Sequence, residues 1–187
     1  FPEELNRIIT FRLTNYFACP GQVAMNNVKK LKGIKINTVQ NTQIDVLKFG
    51  LENTHKATIS IPEEKYVVMS VHRFENLYNK ERFKTIIEAA ELASNFFKVV
   101  IPQHPVTEGQ ITRQNHRNRL EQNANIILLP RLEYENYLKL IIGSEFVMTD
   151  GGGNQEELYY LGKPTLILRE KTERQEGLGE TSVLSNF

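Results

Sequence analysis

From position 66 onward the apolar residues fall into short unbroken runs separated by amphipathic stretches. Residues 66–71 (YVVMSV), 98–102 (KVVIP), 125–129 (NIILL), 146–148 (FVM) and 165–168 (TLIL) read as buried strands, because a strand covered on both faces needs no polar alternation. Between them, 80–95 carries Phe83, Ile86, Ile87, Ala90 and Ala93 at helical spacing. Residues 107–122 predict one polar helix with weak apolar support from Ile111 and Leu120, and 134–142 predicts another. Strands alternating with helices every 25 residues or so indicate a parallel sheet with right-handed crossovers. The expected fold class is therefore α/β, a Rossmann-like parallel sheet with flanking helices.

The first third is less regular. Residues 4–15 predict a helix, 16–18 a short strand, 21–31 a helix, 34–39 a strand and 44–47 the start of a helix. Residues 48–65 show no clean periodicity, contain Pro62, and are expected to be a linker. No internal repeat or low-complexity tract is present.

The richest stretch is 146–177, which reads as strand, glycine turn, helix, strand and charged loop. Gly151, Gly152 and Gly153 follow the strand end at Asp150 and allow close backbone approach. Asn154 is the expected helix cap with Glu157 in the capping-box position, and Gly162 with Pro164 closes the helix. Such a turn aims backbone N–H groups at one spot, where the helix dipole favours an anion. The plainer alternative is a tight turn of small residues. Two features favour a phosphate-bearing ligand. Glu156 and Glu157 are expected in the first turn, where a carboxylate can accept from a ribose diol. Arg169 and Arg174 flank the end of the next strand, on the ligand-binding edge of open α/β sheets.

Two further groups fall on that edge. Ser70 to Asn76 (SVHRFEN) follows one strand, and its His72-Arg73 pair suits diphosphate binding or proton transfer as well as it suits a surface pair of Arg73 with Glu75. His104, in PQHP, ends the next strand. His55 and His116 have no such placement and are read as surface residues. Tyr137, at helical spacing, reads as core, with base stacking the alternative. Glu3, Glu4 and Arg7 stand at a helix start, where acidic residues commonly complement the dipole.

Composition narrows the partners. A net charge of +1 over 187 residues gives no basic field for nucleic acid or an anionic membrane. No apolar run approaches the roughly 20 residues that span a bilayer. The single Cys19 excludes an internal disulfide and a cysteine-based zinc site, and no His/Asp/Glu spacing resembles a metal site. No metal, cofactor, nucleic acid or membrane partner is expected, and a reducing cytoplasm fits. The opening FPEELNR has neither Met nor a signal pattern, so a fragment is expected.

Taken together, PEELNR, QNTQID, SVHRFEN, PQHP and TDGGGNQEELYYLGKPTLILREKTERQEG resemble the UDP-N-acetylglucosamine 2-epimerase family, nearly across the chain and in the family's order. HRFEN and TERQEG look more like its non-hydrolysing bacterial branch. Two positions depart: the family usually has Ser at Gly151 and Pro at Gln175. The resemblance implies the two-domain GT-B fold, with residues 1–47 the tail of the first domain and 48–187 most of a second, UDP-binding domain. It implies interconversion of UDP-N-acetylglucosamine and UDP-N-acetylmannosamine by elimination and re-addition of UDP, for surface polysaccharide precursors.

It further implies catalytic roles for Glu3 and His72, and substrate contacts from Arg7, Tyr137 (against uracil), Gly151, Gly152, Gly153 and Glu157. Arg174 joins them as a substrate-binding candidate. Arg73 and His104 match positions near a regulatory UDP-sugar. UDP and the UDP-sugar are the expected ligands, and a homodimer is expected at full length. As a fragment the chain is expected to bind a uridine diphosphate weakly without turnover. The competing readings are a GT-B glycosyltransferase, which has no reason to carry PEELNR with HRFEN, and a nucleotide-sugar sensing module without catalysis.

Overall fold

A computed structural model describes residues 2–187, with side chains from Glu4 onward. The chain divides into two compact units, residues 1–46 and 47–187. In the first, α1 (Pro2–Leu13) precedes β1 (Tyr16–Cys19), α2 (Gln22–Asn27) and β2 (Ile34–Asn37). The two strands pair in parallel, Tyr16 beside Ile34 and Cys19 beside Asn37. Phe17, Cys19 and Val28 form a small buried cluster. The second helix and second strand are shorter than their patterns suggest, and Val39 already has φ 67°.

Helix α3 (Gln43–Asn53) crosses the boundary between the units and is followed by a 3-10 turn, Thr54–Lys56. The expected linker therefore begins inside a helix. Leu47 and Gly50 are the buried positions of α3, and a Cβ on Gly50 would lie only 2.4 Å from Leu138. The missing side chain permits that close packing, which apolar periodicity does not reveal.

The second unit is built on six parallel strands: β3 (Tyr66–Ser70), β4 (Lys98–Pro102), β5 (Ile126–Leu129), β6 (Val147–Thr149), β7 (Thr165–Ile167) and β8 (Ser182–Leu184). Their order is β5-β4-β3-β6-β7-β8. Every ladder is parallel, with Val68 beside Val147 and Val100 beside Ile127. This is the order of a doubly wound, Rossmann-like sheet, in which the chain runs outward from β3 to one edge and then from β6 to the other. Ligands of such sheets lie outside the C-terminal strand ends at that reversal, here the crevice between β3 and β6.

Side chains alternate between the sheet's faces, as the pleat requires. Val67, Met69, Val99, Ile101 and Met148 pack with Phe83, Ile86 and Ile87 of α5 (Lys80–Ala93), Ile111 of α6 (Pro105–Arg113) and Leu120 of α7 (Arg117–Glu121). Tyr66, Val68, Val100 and Val147 pack with Leu138, Leu140 and Ile141 of α8 (Tyr134–Gly143) and Leu158 of α9 (Gly152–Tyr160). Apolar burial on both faces accounts for the contiguous strands.

Three local expectations are corrected. The helix expected over 107–122 is two helices, because Asn115 adopts φ 61° and turns the chain so that His116 can bury itself against Phe83. His116 is thus a core residue, 8% exposed, while His55 is exposed as expected. Strand β8 and the short helix α4 (Phe74–Leu77) have no counterpart in the hydrophobic pattern.

Candidate functional site

The site is assembled where β3 and β6 end. After β3 the chain passes through His72 and Arg73 into α4, whose N-cap is Arg73. After β6 it passes through Asp150 into α9, whose N-cap is Gly151. Asp150 is fully buried and joins the two turns. Its Oδ1 accepts the His72 backbone N–H and its Oδ2 the Arg73 backbone N–H, each at 3.0 Å. The Asn76 amide also donates to Oδ2, at 2.9 Å, and to the Leu168 carbonyl beyond β7, at 2.9 Å. A buried carboxylate is tolerable only when so satisfied. It holds the His-Arg turn and the glycine turn on one crevice.

The imidazole of His72 leans over this junction. Its Nδ1 stands 3.5 Å from Asp150 Oδ1, and its side chain is 44% exposed. It lines a cleft of about 250 Å³ with Ser70, His104, Arg131, Tyr137 and Asn154. The His72 and His104 rings lie 6.2 Å apart between centroids. His104 caps α6 by accepting from the Val106 N–H at 3.4 Å. Its pKa is lowered first by desolvation, then by the positive charge of Arg131 and by His72.

Helix α9 starts earlier than expected. Gly152 and Gly153 are its first residues, so Asn154 is not the cap and Glu156 and Glu157 fall in the second turn. The N-cap Gly151 itself has no side chain with which to cap the helix. Asn154 instead donates to the Tyr137 hydroxyl at 3.0 Å and to Thr149 Oγ1 at 3.2 Å. Tyr137 is half-buried against the core of that face, and burial raises its phenol pKa well above the ordinary value, against a hydrogen bond with Ser70. Glu157, largely buried, accepts from the Tyr134 hydroxyl at 2.8 Å, and desolvation together with that carboxylate raises the Tyr134 pKa.

The charged loop folds back over the start of α9. Glu156, 1% exposed, meets Arg174 Nη1 at 2.5 Å, so this carboxylate faces a guanidinium and not the open crevice. The stem of Arg174 runs beside Gly152, where a Cβ would sit 3.6 Å from its Cγ. Gln155, fully buried, staples the loop: its amide donates to the carbonyls of Arg174 (3.3 Å) and Glu176 (2.9 Å), and it accepts from the Thr172 hydroxyl (2.8 Å). Asp150, Asn76 and Gln155 carry no local signal of these roles, because each acts on distant chain.

The structure thus brings His72, His104, Tyr137, Gly151, Gly152, Gly153, Glu157 and Arg174 to one end of the second unit's sheet. Arg73, paired with Glu75 at 3.4 Å, lines a different cleft from His104, with Asn76, Arg82 and Arg169. Arg7 lies in the first unit, exposed and paired with Glu4 at 3.2 Å. The Glu3 side chain lies outside the described residues. Among the described residues no helix is long and apolar enough to cross a membrane, and no cluster of three His, Cys, Asp or Glu side chains could hold a metal ion.

Comparison with known proteins gives a consistent outcome. A family model described as UDP-N-acetylglucosamine 2-epimerase matches residues 1–185. The UDP-N-acetylglucosamine 2-epimerase of Methanocaldococcus jannaschii is 34% identical over 187 residues, covering 94% of this chain and 51% of that protein. A Pseudomonas aeruginosa UDP-2,3-diacetamido-2,3-dideoxy-D-glucuronate 2-epimerase is 31% identical, covering 92% and 48%. The solved structure of the Methanocaldococcus jannaschii enzyme in complex with UDP-GlcNAc and UDP superposes with a TM-score of 0.84 at 28% identity, over 98% of this chain and 53% of that one. The chain spans about half the length of the relatives it matches. Its six-stranded parallel sheet and smaller sheet match GT-B-like epimerase structures over that half. On motif order, sheet topology and likeness along its length, the chain belongs to the UDP-N-acetylglucosamine 2-epimerase family.

Proposed function

We propose that the crevice between β3 and β6 binds the uridine diphosphate portion of a UDP-N-acetylhexosamine, and that in a protein of its relatives' length this site serves 2-epimerisation. The observation that carries the reading is the Asp150 carboxylate, which fastens the His72 turn and the glycine turn together at the sheet's reversal point. Support also comes from the relative solved with UDP-GlcNAc and UDP.

Each residue then has a physical task. The diphosphate lies against the start of α9, where the helix dipole is positive. Arg174, tethered beside Gly152 by Gln155, adds a cation. Glu157, already ordered by Tyr134, accepts from the ribose diol, and Tyr137 offers its ring edge to the base. Together they stabilise departing UDP when its bond to the sugar breaks. His72 serves proton transfer at the sugar end; the catalytic role that the family resemblance implies for Glu3 is part of the same proposal. Residues 48–187 form the nucleotide domain in this reading, and 1–47 the end of the preceding domain.

Isothermal titration of the chain with UDP and with uridine tests the reading. UDP is expected to bind measurably and uridine much more weakly, because the phosphates supply most of the interaction. Glu157→Ala should weaken UDP binding by about 1–3 kcal/mol, as for a lost hydrogen bond to a charged group. Equal binding of UDP and uridine would contradict the assignment of the glycine turn.

A further inference from the structure

The walls of the cleft that holds His72 carry donors and cations. Among the described residues His72, Gln103, His104 and Arg131 line it, and no Asp or Glu does. Asp150, 3.5 Å from the His72 ring, is already held by two backbone N–H groups and the Asn76 amide. Arg131 is exposed, and its guanidinium makes no hydrogen bond or ion pair among the described residues. Its charge nevertheless reaches His104, whose pKa is held down first by desolvation and then by Arg131. Gln103 is 6% exposed, and its Nε2 is buried without a hydrogen-bond partner. A groove on its other side holds Glu108 and Glu121, but both already meet Arg117, at 3.0 and 2.9 Å. Folded chains rarely keep an unpaired buried donor, and this one lies in the wall of a ligand cleft.

We propose that the cleft is a carboxylate subsite, and that the sugar it receives is a UDP-linked N-acetylhexosaminuronate, with Arg131 and Gln103 as specificity-determining residues. The inference rests on the reading that the diphosphate lies against the start of α9. Phosphates placed there, beside Arg174, leave Arg131 and His104 without a counter-charge. A neutral sugar brings only hydroxyls, which call for no cation. A carboxylate accepts two parallel bonds from a guanidinium and keeps lone pairs for an amide N–H. Size favours the same occupant. At about 250 Å³ the cleft falls below the roughly 300 Å³ at which pockets for drug-sized ligands begin, so it suits one sugar and not a second nucleotide. His72 lines the same cleft, so the acidic sugar lies beside the residue read as its proton-transfer group.

Titration calorimetry of the chain at low salt with UDP, UDP-N-acetylglucosamine and UDP-N-acetylglucosaminuronate tests the proposal. The uronate is expected to bind about fivefold or more tightly than the neutral sugar nucleotide, the size of one exposed ion pair. Arg131→Gln should bring the two within about twofold and leave UDP binding unchanged. Gln103→Leu should reduce the same preference while raising the urea midpoint of the unliganded chain, because the unpaired donor is gone. A merely structural glutamine would not combine a gain in stability with a loss confined to one ligand. Should Gln103→Leu fail to fold, Arg131→Gln decides, since that side chain is exposed. Equal wild-type affinities for the two sugar nucleotides would overturn the proposal. Equal losses for all three ligands in Arg131→Gln would also overturn it, by putting the diphosphate in this cleft. Two nucleotides bound per chain, with the second lost in Arg131→Gln, would overturn it in favour of a second ligand's phosphates. Absence of UDP binding would overturn the nucleotide reading itself, an outcome separate from these.

Discussion

The side-chain amide of Asn76 donates to the Asp150 carboxylate at 2.9 Å across 74 residues of chain, and to the Leu168 carbonyl at 2.9 Å across 92. One buried amide thus ties the loop after β3 to the ends of β6 and β7. Asn76→Ala leaves a buried carboxylate oxygen and a carbonyl short of a donor. It should cost about 1–3 kcal/mol in urea unfolding and weaken UDP binding as well. Unchanged stability would mean that Asp150 alone holds the crevice.

Gln155 does the same for the charged loop, through three hydrogen bonds. Gln155→Ala should release the loop that carries Arg174 and lower UDP affinity, with little effect on a nucleoside that lacks phosphates. Titration of the variant with both ligands checks this. Equal losses for the two would point to general disruption.

Tyr66 and Gly143 test the packing beneath the site. The Tyr66 hydroxyl donates to the Leu140 carbonyl at 2.7 Å, and burial raises its pKa to about 12. A Cβ on Gly143 would lie 2.4 Å from that hydroxyl and 3.4 Å from the ring carbon bearing it. Gly143→Ala should therefore destabilise by about 1–3 kcal/mol through overpacking. Combined with Tyr66→Phe the added cost should largely vanish, since the clashing atom is gone. Additive losses in the double-mutant cycle would contradict this contact.

His116 makes stability depend on pH. Its folded pKa lies below the ordinary 6.5, chiefly through burial and then through Arg119, with Glu91 and Glu88 opposing. The unfolded chain takes up this proton near pH 6.5 while the folded chain resists it, so acid favours unfolding. The stability is fully present above 6.5 and falls as pH drops below it. His116→Gln should reduce that slope in urea midpoints measured between pH 7.5 and 5.5, approximately the window set by imidazole. Some slope should remain, because His104 is shifted in the same direction. Identical slopes would show that His116 is not the group responsible.

How far the sequence discloses this molecule depends on the range of each interaction. Strands β3 and β4 are legible because burial on both faces writes them as runs of valine and isoleucine. Strand β8 is a three-residue piece beside a polar loop, and only its pairing with β7 defines it. The break at Asn115 is invisible because a polar residue suits both a helix surface and a left-handed turn. Gly152 and Gly153 read as a turn, since glycine is a poor helix former, yet they begin α9. His72, His104 and the glycine turn are legible as strand-end residues. Asp150, Asn76 and Gln155 are not, because what they bind lies far along the chain.

If UDP sits with its phosphates at the start of α9, the most direct measurement is the change in backbone amide resonances on adding UDP, compared with uridine. The amides of Gly152 and Asn154, and the side-chain signal of Arg174, are expected to move with UDP and barely respond to uridine. UDP-induced shifts confined to other strand ends, with the start of α9 unmoved, would contradict that placement.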